Sequence, residues 1–355
     1  MLAAAMSQPA TAHAHRPSLT ERVLGGWVRQ VNGGTLRADA LAGLLGTVLA
    51  LPQGIAFATL AGLPVEMGIY SAIVPTLVAA LFGSSWHVVS GPTNALSLAL
   101  LSMLAPLAAT GSAAYVQLAL AVTLLVGVMQ WLIGALRLGA LANFISPTAL
   151  FGFTAGAALL IAIYALVDAL GVPAQGIRGA PAVLRHLVLQ WHAVSLPALG
   201  VAAATLGVSL ALRWRWPRSP HMLIGLVAGT LLAVWLRRSG LADEGLHQVG
   251  PMPSPWPQPR WPLTDWSRLP ELVGLAFAMT IVALGQTISI AKAMAARSGQ
   301  RMDANREFMG QGLANVIGSF FSCYVSCGSL NRSVPNLQAG ARTPLAAVFS
   351  ALFML

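Results

Sequence analysis

Arg332 is the residue whose chemistry most needs an explanation. It stands between the uncharged runs 308–331 and 333–341. A guanidinium within apolar sequence costs at least about 2.5–3.5 kcal/mol on membrane-insertion scales, so such a residue needs a partner or a ligand. No acid falls in the middle of an apolar run, since Asp39, Glu66, Asp168 and Glu271 all lie at run ends. A bound anion is therefore the preferred partner, with a carboxylate on a helix outside these 355 residues as the alternative.

Two breaks surround this cation in character if not in sequence. Ser90-Gly91-Pro92 and Cys327-Gly328-Ser329 each precede a short apolar segment, 91–105 and 329–340. Glycine allows close backbone approach, proline lacks the N–H that a helix start would orphan, and Ser329 is suited to cap the helix that follows. A helix start carries about half a positive charge and several unpaired N–H donors, so two facing starts would cradle an anion. Thr93, Asn94 and Asn331 sit beside the two starts and add hydrogen-bonding capacity, with simple capping as the plainer role. Gln53 follows Pro52, where the loosened helix ladder lets an amide face a cavity. Phe57, four residues on, shares its face, as a lining residue or as a core aromatic.

The elements that must hold these residues are membrane spans. Of the residues 56% are hydrophobic and 8% charged, against about 25% charged in an ordinary soluble domain, which excludes a water-soluble globule. A bilayer crossing needs about 20 apolar residues. The charge-free stretch 67–136 is therefore several spans, broken at Gly83-Ser84-Ser85, Ser90-Gly91-Pro92 and 106–112. The full set is roughly 39–60, 68–83, 91–105, 115–137, 143–168, 193–213, 219–236, 270–292, 305–321, 329–340 and 343 onward.

The net charge of +10 arises from 19 Arg, Lys292 and ten acids. These basic residues occur singly or in threes, without the clustered face that nucleic acid requires. Assigned to alternate loops, thirteen basic and four acidic residues fall on one side, six of each on the other, and Arg332 remains within the membrane. The excess marks the cytoplasmic side, which places the amino terminus there. The opening segment lacks a basic region followed by an apolar core, so no cleaved signal peptide is expected. Cys323 and Cys327 lack further zinc ligands and are expected as small packing residues. His87 is expected in a solvated loop.

An internal repeat orders the spans. Leu51, Gln53, Ile55 and Ala58 match Leu284, Gln286, Ile288 and Ala291 at an offset of 233, and Gly91 matches Gly328 at 237. Seven spans separate the copies, an odd number, so the second is inserted upside down. Interrupted segments at matching positions of two such halves point to a transporter binding site.

The segment Leu51 to Leu98, with Pro52-Gln53, Ala61-Gly62-Leu63-Pro64, Gly68-Ile69-Tyr70-Ser71, Phe82-Gly83, His87 and Gly91-Pro92, resembles the SulP sulfate-permease family, the bacterial relatives of animal solute carrier family 26. Ser289 to Leu345 resembles that family's eighth to tenth helices. The resemblance implies an all-α polytopic membrane protein with a seven-plus-seven inverted-repeat fold, of which about the first ten to eleven spans are present. Residues 1–38 would be a cytoplasmic amino-terminal segment, 39–140 core spans 1–4, 141–240 gate spans 5–7, 241–269 an extracellular Pro-rich connection and 270–355 core spans 8–11. The remaining spans and the family's C-terminal cytoplasmic domain would be absent.

The implied function is secondary transport of a small inorganic or carboxylic anion, without covalent chemistry, cofactor, metal or nucleic acid. The alternative is an anion-binding sensor or electromechanical membrane protein without full transport. The site residues would be Gln53, Phe57, Gly91, Pro92, Thr93, Asn94, Gln286, Gly328, Ser329, Asn331 and Arg332. A homodimer in a bacterial inner membrane is expected. The chain departs from the family at Trp86, Thr93, Asn331 and Gln286, the last commonly an acid. Glutamine cannot titrate, so no proton gradient is expected to drive flux through that position.

Overall fold

The computed structural model describes residues 19–140, 147–172, 179–216, 221–241, 246, 256–257, 259–262 and 265–355. In chain order the elements are α1 Leu19–Leu24, α2 Gly33–Leu60, α3 Val65–Phe82, β1 Ser90–Gly91, α4 Asn94–Leu104, α5 Ala113–Ala135, α6 Pro147–Leu170, α7 Ala180–Leu189, α8 Leu196–Arg215, α9 His221–Arg238, α10 Leu269–Ser298, α11 Ala304–Phe320, β2 Cys327–Gly328, α12 Leu330–Gln338 and α13 Leu345–Leu352. Among the described residues, five helices are long and apolar enough to cross a membrane: α2, α3, α5, α8 and α10. The stretch 67–136 divides into α3, α4 and α5, as its small-residue breaks imply. Most of the Pro-rich connection, 241–269, lies outside the described residues, as do most side chains of the amino-terminal segment.

Local sequence sets the ends of these helices. Asn32 caps α2 with its side chain on the Thr35 N–H at 2.9 Å, and the Thr35 hydroxyl accepts from the Asn32 N–H at 2.8 Å. Ser112 caps α5 and Asp303 caps α11. Gly83 stops α3, while Glu307 in the first turn of α11 accepts from the Ser84 and Ser85 N–H groups at 2.8 Å each. This carboxylate ties the loop after α3 to α11. His87, in that loop, is 5% exposed and not solvated as expected, because its carbonyl is held by Asn336 Nδ2 at 3.2 Å and the loop folds inward.

Close packing between helices relies on small residues, as membrane bundles do. Gly54 of α2 and Gly68 of α3 bring the two backbones so near that a methyl on Gly68 would overlap the Gly54 carbonyl. Helices α2, α3, α4 and α5 interlock with α10, α11, α12 and α13: α5 packs on α10 and α11, and α13 packs on α2 and α3. In a second group α8 packs on α9 and α6, and α6 reaches across to α4 and α10. Helix α7 is a short addition between α6 and α8 that the span pattern does not contain.

A two-stranded antiparallel sheet, also absent from the sequence expectation, sits in the middle of the interlocked bundle. Ser90 pairs with Gly328 and Gly91 with Cys327. Adding 237, the Gly91-to-Gly328 spacing, turns 90 into 327 and 91 into 328, and so exchanges the two pairs. That self-exchange is what a local two-fold axis through the strands produces. The axis also exchanges the α5–α10 packing with the α13–α2 packing, so the inverted repeat is present in the bundle itself.

Candidate anion-binding site

The strand pair delivers both short helices to one place. Thr93 is the N-cap of α4, with φ −134° and ψ 154°, and Ser329 is the N-cap of α12, with φ −115° and ψ 117°. Neither side chain caps its helix. Capping by Ser329 is thus corrected: its N–H is held by the Val89 carbonyl at 3.0 Å, its carbonyl accepts from the Ser333 hydroxyl at 2.6 Å, and the first turn keeps its N–H groups free of a side-chain oxygen. The start of α4 is also corrected, from Gly91-Pro92 to Asn94, because Gly91 is used by the strand. Pro92 stands two residues before the helix and serves through its carbonyl.

Arg332, in the first turn of α12, is 3% exposed. Its Nη2 donates to the Pro92 carbonyl at 2.8 Å and so bridges the two helix starts. Nε and Nη1 are buried with no hydrogen-bond partner. The guanidinium lies against Gly91, where φ is +141° and a Cβ would come within 2.5 Å of Nη1. Glycine is required there both by its backbone angle and by the room the cation takes. Among the described residues the ion pairs are Glu21 with Arg29 and Asp265 with Arg268, and neither involves Arg332. A buried cation with unpaired donors is a costly arrangement that an anion relieves.

The amide of Gln286 on α10 closes one side. Its Oε1 accepts from Cys327 Sγ at 3.0 Å and from Thr93 Oγ1 at 3.3 Å. Cys327 is therefore a hydrogen-bond donor to the site and not only a packing residue, whereas Cys323 is buried with its Sγ donating to the Phe321 carbonyl at 3.4 Å. The Gly328 N–H is taken by Thr287 Oγ1 at 3.2 Å. On α2, Gln53 Oε1 is buried and unpaired. Phe57 is buried on the same helix, Asn94 is half-buried and Asn331 is exposed. No hydrogen bond joins the side chains of these last three to the others among the described residues.

A second set of residues, missed by the sequence reading, holds the strands. Asn315 on α11 accepts from the Ser326 N–H at 2.9 Å and donates to the Ser326 carbonyl at 3.0 Å, imitating a neighbouring strand with one side chain. Gln311 donates to the same carbonyl at 2.9 Å and accepts from the Ser90 hydroxyl at 2.8 Å. Thr76 on α3 donates to the Ser90 carbonyl at 2.6 Å. The available signal was the run of polar residues at helical spacing in a membrane segment, Gln311 and Asn315.

The sulfate permease family matches residues 36–355. The chain is 30% identical over 346 residues to sulfate transporter 4.1, chloroplastic, of Arabidopsis thaliana, covering 92% of this chain and 48% of that protein. To sulfate transporter 2.1 of the same plant it is 31% identical over 342 residues, covering 92% and 50%. It thus spans about half the length of these relatives. Among solved structures, the transmembrane domain of a cyanobacterium bicarbonate transporter, BicA, has a similar fold, with TM-score 0.80 and 23% identity over 92% of this chain and 83% of that one. Murine solute carrier 26 family member A9, an anion transporter in the inward-facing state, gives TM-score 0.82 and 22% identity over 98% and 61%.

Proposed function

This chain belongs to the sulfate permease family, a family of membrane transporters and not of enzymes, and from that premise we propose that it binds and carries a small inorganic or carboxylic anion across the membrane by alternating access. The observation that carries the reading is Arg332, sealed from water with Nε and Nη1 unpaired between two helix starts without side-chain caps. Backbone dipoles and one cation supply positive potential without a fixed counter-charge, so the anion itself completes the site. The sulfate named for the plant relatives and the bicarbonate named for the cyanobacterial structure are both of this class.

The packing supports a division into two working parts. Residues 39–140 and 270–355 would form the core that carries the anion, and 141–240 the gate against which it moves, with α6 at the boundary through α4 and α10. The protein would be a homodimer in a bacterial inner membrane with its amino terminus in the cytoplasm. Reconstitution tests the reading: proteoliposomes should take up radiolabelled sulfate or bicarbonate, and a panel of unlabelled anions should compete. Anion-dependent conformational change without uptake would favour the sensor, and no response to any anion would overturn the site.

A further inference from the structure

Helix α12 grips the loop before β1 along one face. Ser329, Ser333 and Asn336, spaced four and three residues apart, share that face. The Ser329 N–H donates to the Val89 carbonyl at 3.0 Å, Ser333 Oγ accepts from the Val89 N–H at 3.0 Å, and Asn336 Nδ2 donates to the His87 carbonyl at 3.2 Å. Val88, between the held residues, packs on Ala291 and Met294 of α10, and its Cγ1 lies 3.1 Å from where a Cβ on Gly328 would stand. Ser90–Gly91 follow at once as β1, and Pro92 then supplies the carbonyl that anchors Arg332. Where residues 87–89 sit therefore decides where the cation and both helix starts sit.

The His87 ring is buried in this clamp, and its Nδ1 has no hydrogen-bond partner among the described residues. Of the charged side chains on the surrounding elements, Arg37 of α2, Lys292 and Arg297 of α10 and Arg342 before α13 are exposed. Glu307 of α11 is spent on the Ser84 and Ser85 N–H groups, Arg306 donates to the Gly83 carbonyl at 3.1 Å, and Arg332 of α12 is turned to Pro92. Asp39 of α2 is linked to the clamp through the turn after α12: the Asn336 carbonyl accepts from the Ala341 N–H at 3.2 Å, and Asp39 accepts from the next two, Arg342 at 2.6 Å and Thr343 at 3.1 Å. Burial holds the His87 ring below the ordinary histidine pKa, against the weaker opposing pull of the Asp39 carboxylate. We propose that His87 is a positioning residue for the anion site and makes anion affinity depend on pH: the neutral ring lets residues 87–89 stay clamped to α12, and a proton on the ring, which has to reach water, releases them. A base with a lowered pKa binds its proton better in the released state, so the clamp is at full strength above about pH 6.5 and weakens as pH falls below it. This role rests on the anion-binding reading and concerns what holds the site, not which anion fills it.

The test uses radiolabelled sulfate, or chloride if sulfate does not bind, because neither changes its charge near neutral pH. Equilibrium binding is measured on the purified protein in nanodiscs from about pH 7.5 to about pH 5.5, on either side of the ordinary histidine pKa of about 6.5. Affinity of the parent should be level in the upper part of this range and fall by about threefold or more in the lower part. His87→Gln keeps the main-chain carbonyl that Asn336 holds but cannot titrate, so it should bind as the parent does at about pH 7.5 and show no fall below. Asp39→Asn keeps an oxygen for the Arg342 and Thr343 N–H groups but removes the charge that favours a protonated ring, so its fall should come at lower pH than the parent's. That shift decides the matter even if His87→Gln does not fold. A level parent profile, a fall that survives in His87→Gln, or a fall in Asp39→Asn at the parent's pH or above would overturn the proposal while leaving the anion site standing. Binding of neither sulfate nor chloride at any pH would instead overturn the anion reading beneath it.

Discussion

At the scale of single residues, the site is governed by how many donors a buried cation leaves over. Arg332 uses Nη2 on the Pro92 carbonyl and leaves Nε and Nη1 for a ligand. Charge-assisted hydrogen bonds are worth about 1.5–3 kcal/mol, so Arg332→Ala should weaken anion binding by roughly 10- to 150-fold in an equilibrium titration. Arg332→Lys should recover only part of this, because an ammonium supplies field but not a planar fork that reaches a carbonyl and an anion together. Unchanged affinity in the alanine variant would make the residue structural. Arg332, Gly91 and Gly328 are legible in the sequence because a lone cation and small-residue breaks are rare in apolar runs. The donor role of Cys327 is not, since a thiol packs or bonds according to what tertiary structure sets against it, here Gln286.

At the scale of elements, the apolar runs announce the long helices, and their bounds follow the breaks closely: α3 ends at Phe82 and α5 starts after Ser112. The strands escape that logic because two residues have no periodicity. They exist because helices α3 and α11 supply tethers, and Asn315 is the strongest, meeting both backbone groups of Ser326. Its Nδ2 also donates to Gln130 Oε1 on α5 at 2.8 Å. Asn315→Leu leaves the Ser326 N–H and Gln130 Oε1 buried and unpaired, while the Ser326 carbonyl keeps its bond from Gln311, at about 1–3 kcal/mol for each unpaired group. The expected result is a lower midpoint of thermal unfolding in detergent together with a higher dissociation constant for the anion. Asn315→Asp should keep the bond from the Ser326 N–H but set a buried carboxylate oxygen against the Ser326 carbonyl and Gln130 Oε1, giving at least as large a loss of stability and a comparable loss of affinity. Variants that lose stability and keep full affinity would show that this tether holds the bundle without positioning the site.

At the scale of the whole molecule, the charge pattern predicts a sidedness that the fold alone does not fix. Inverted halves explain how Asp39, buried seven residues into α2, receives the Arg342 N–H at 2.6 Å and the Thr343 hydroxyl at 2.5 Å just before α13, far along the chain. They also require α9 and α10 to end on opposite sides of the membrane. Ser239 follows α9 and Ser298 closes α10, and both are exposed. By the alternation of loops, thirteen basic residues would share the side of Ser298, and six, matched by six acids, that of Ser239. The excess of basic loops is retained on the cytoplasmic side. The native cysteines, Cys323 and Cys327, are both buried, so the parent should give little labelling background. Ser298→Cys should therefore react with a membrane-impermeant thiol reagent only once the cytoplasmic face is opened to it. Ser239→Cys should react in intact cells, and each substitution removes one hydroxyl that makes only local bonds, to Trp235 at Ser239 and to Met294 and Gln300 at Ser298. Both cysteines reacting from one side would contradict the inverted repeat, and exchanged sides would keep the repeat but reverse the orientation read from the arginines.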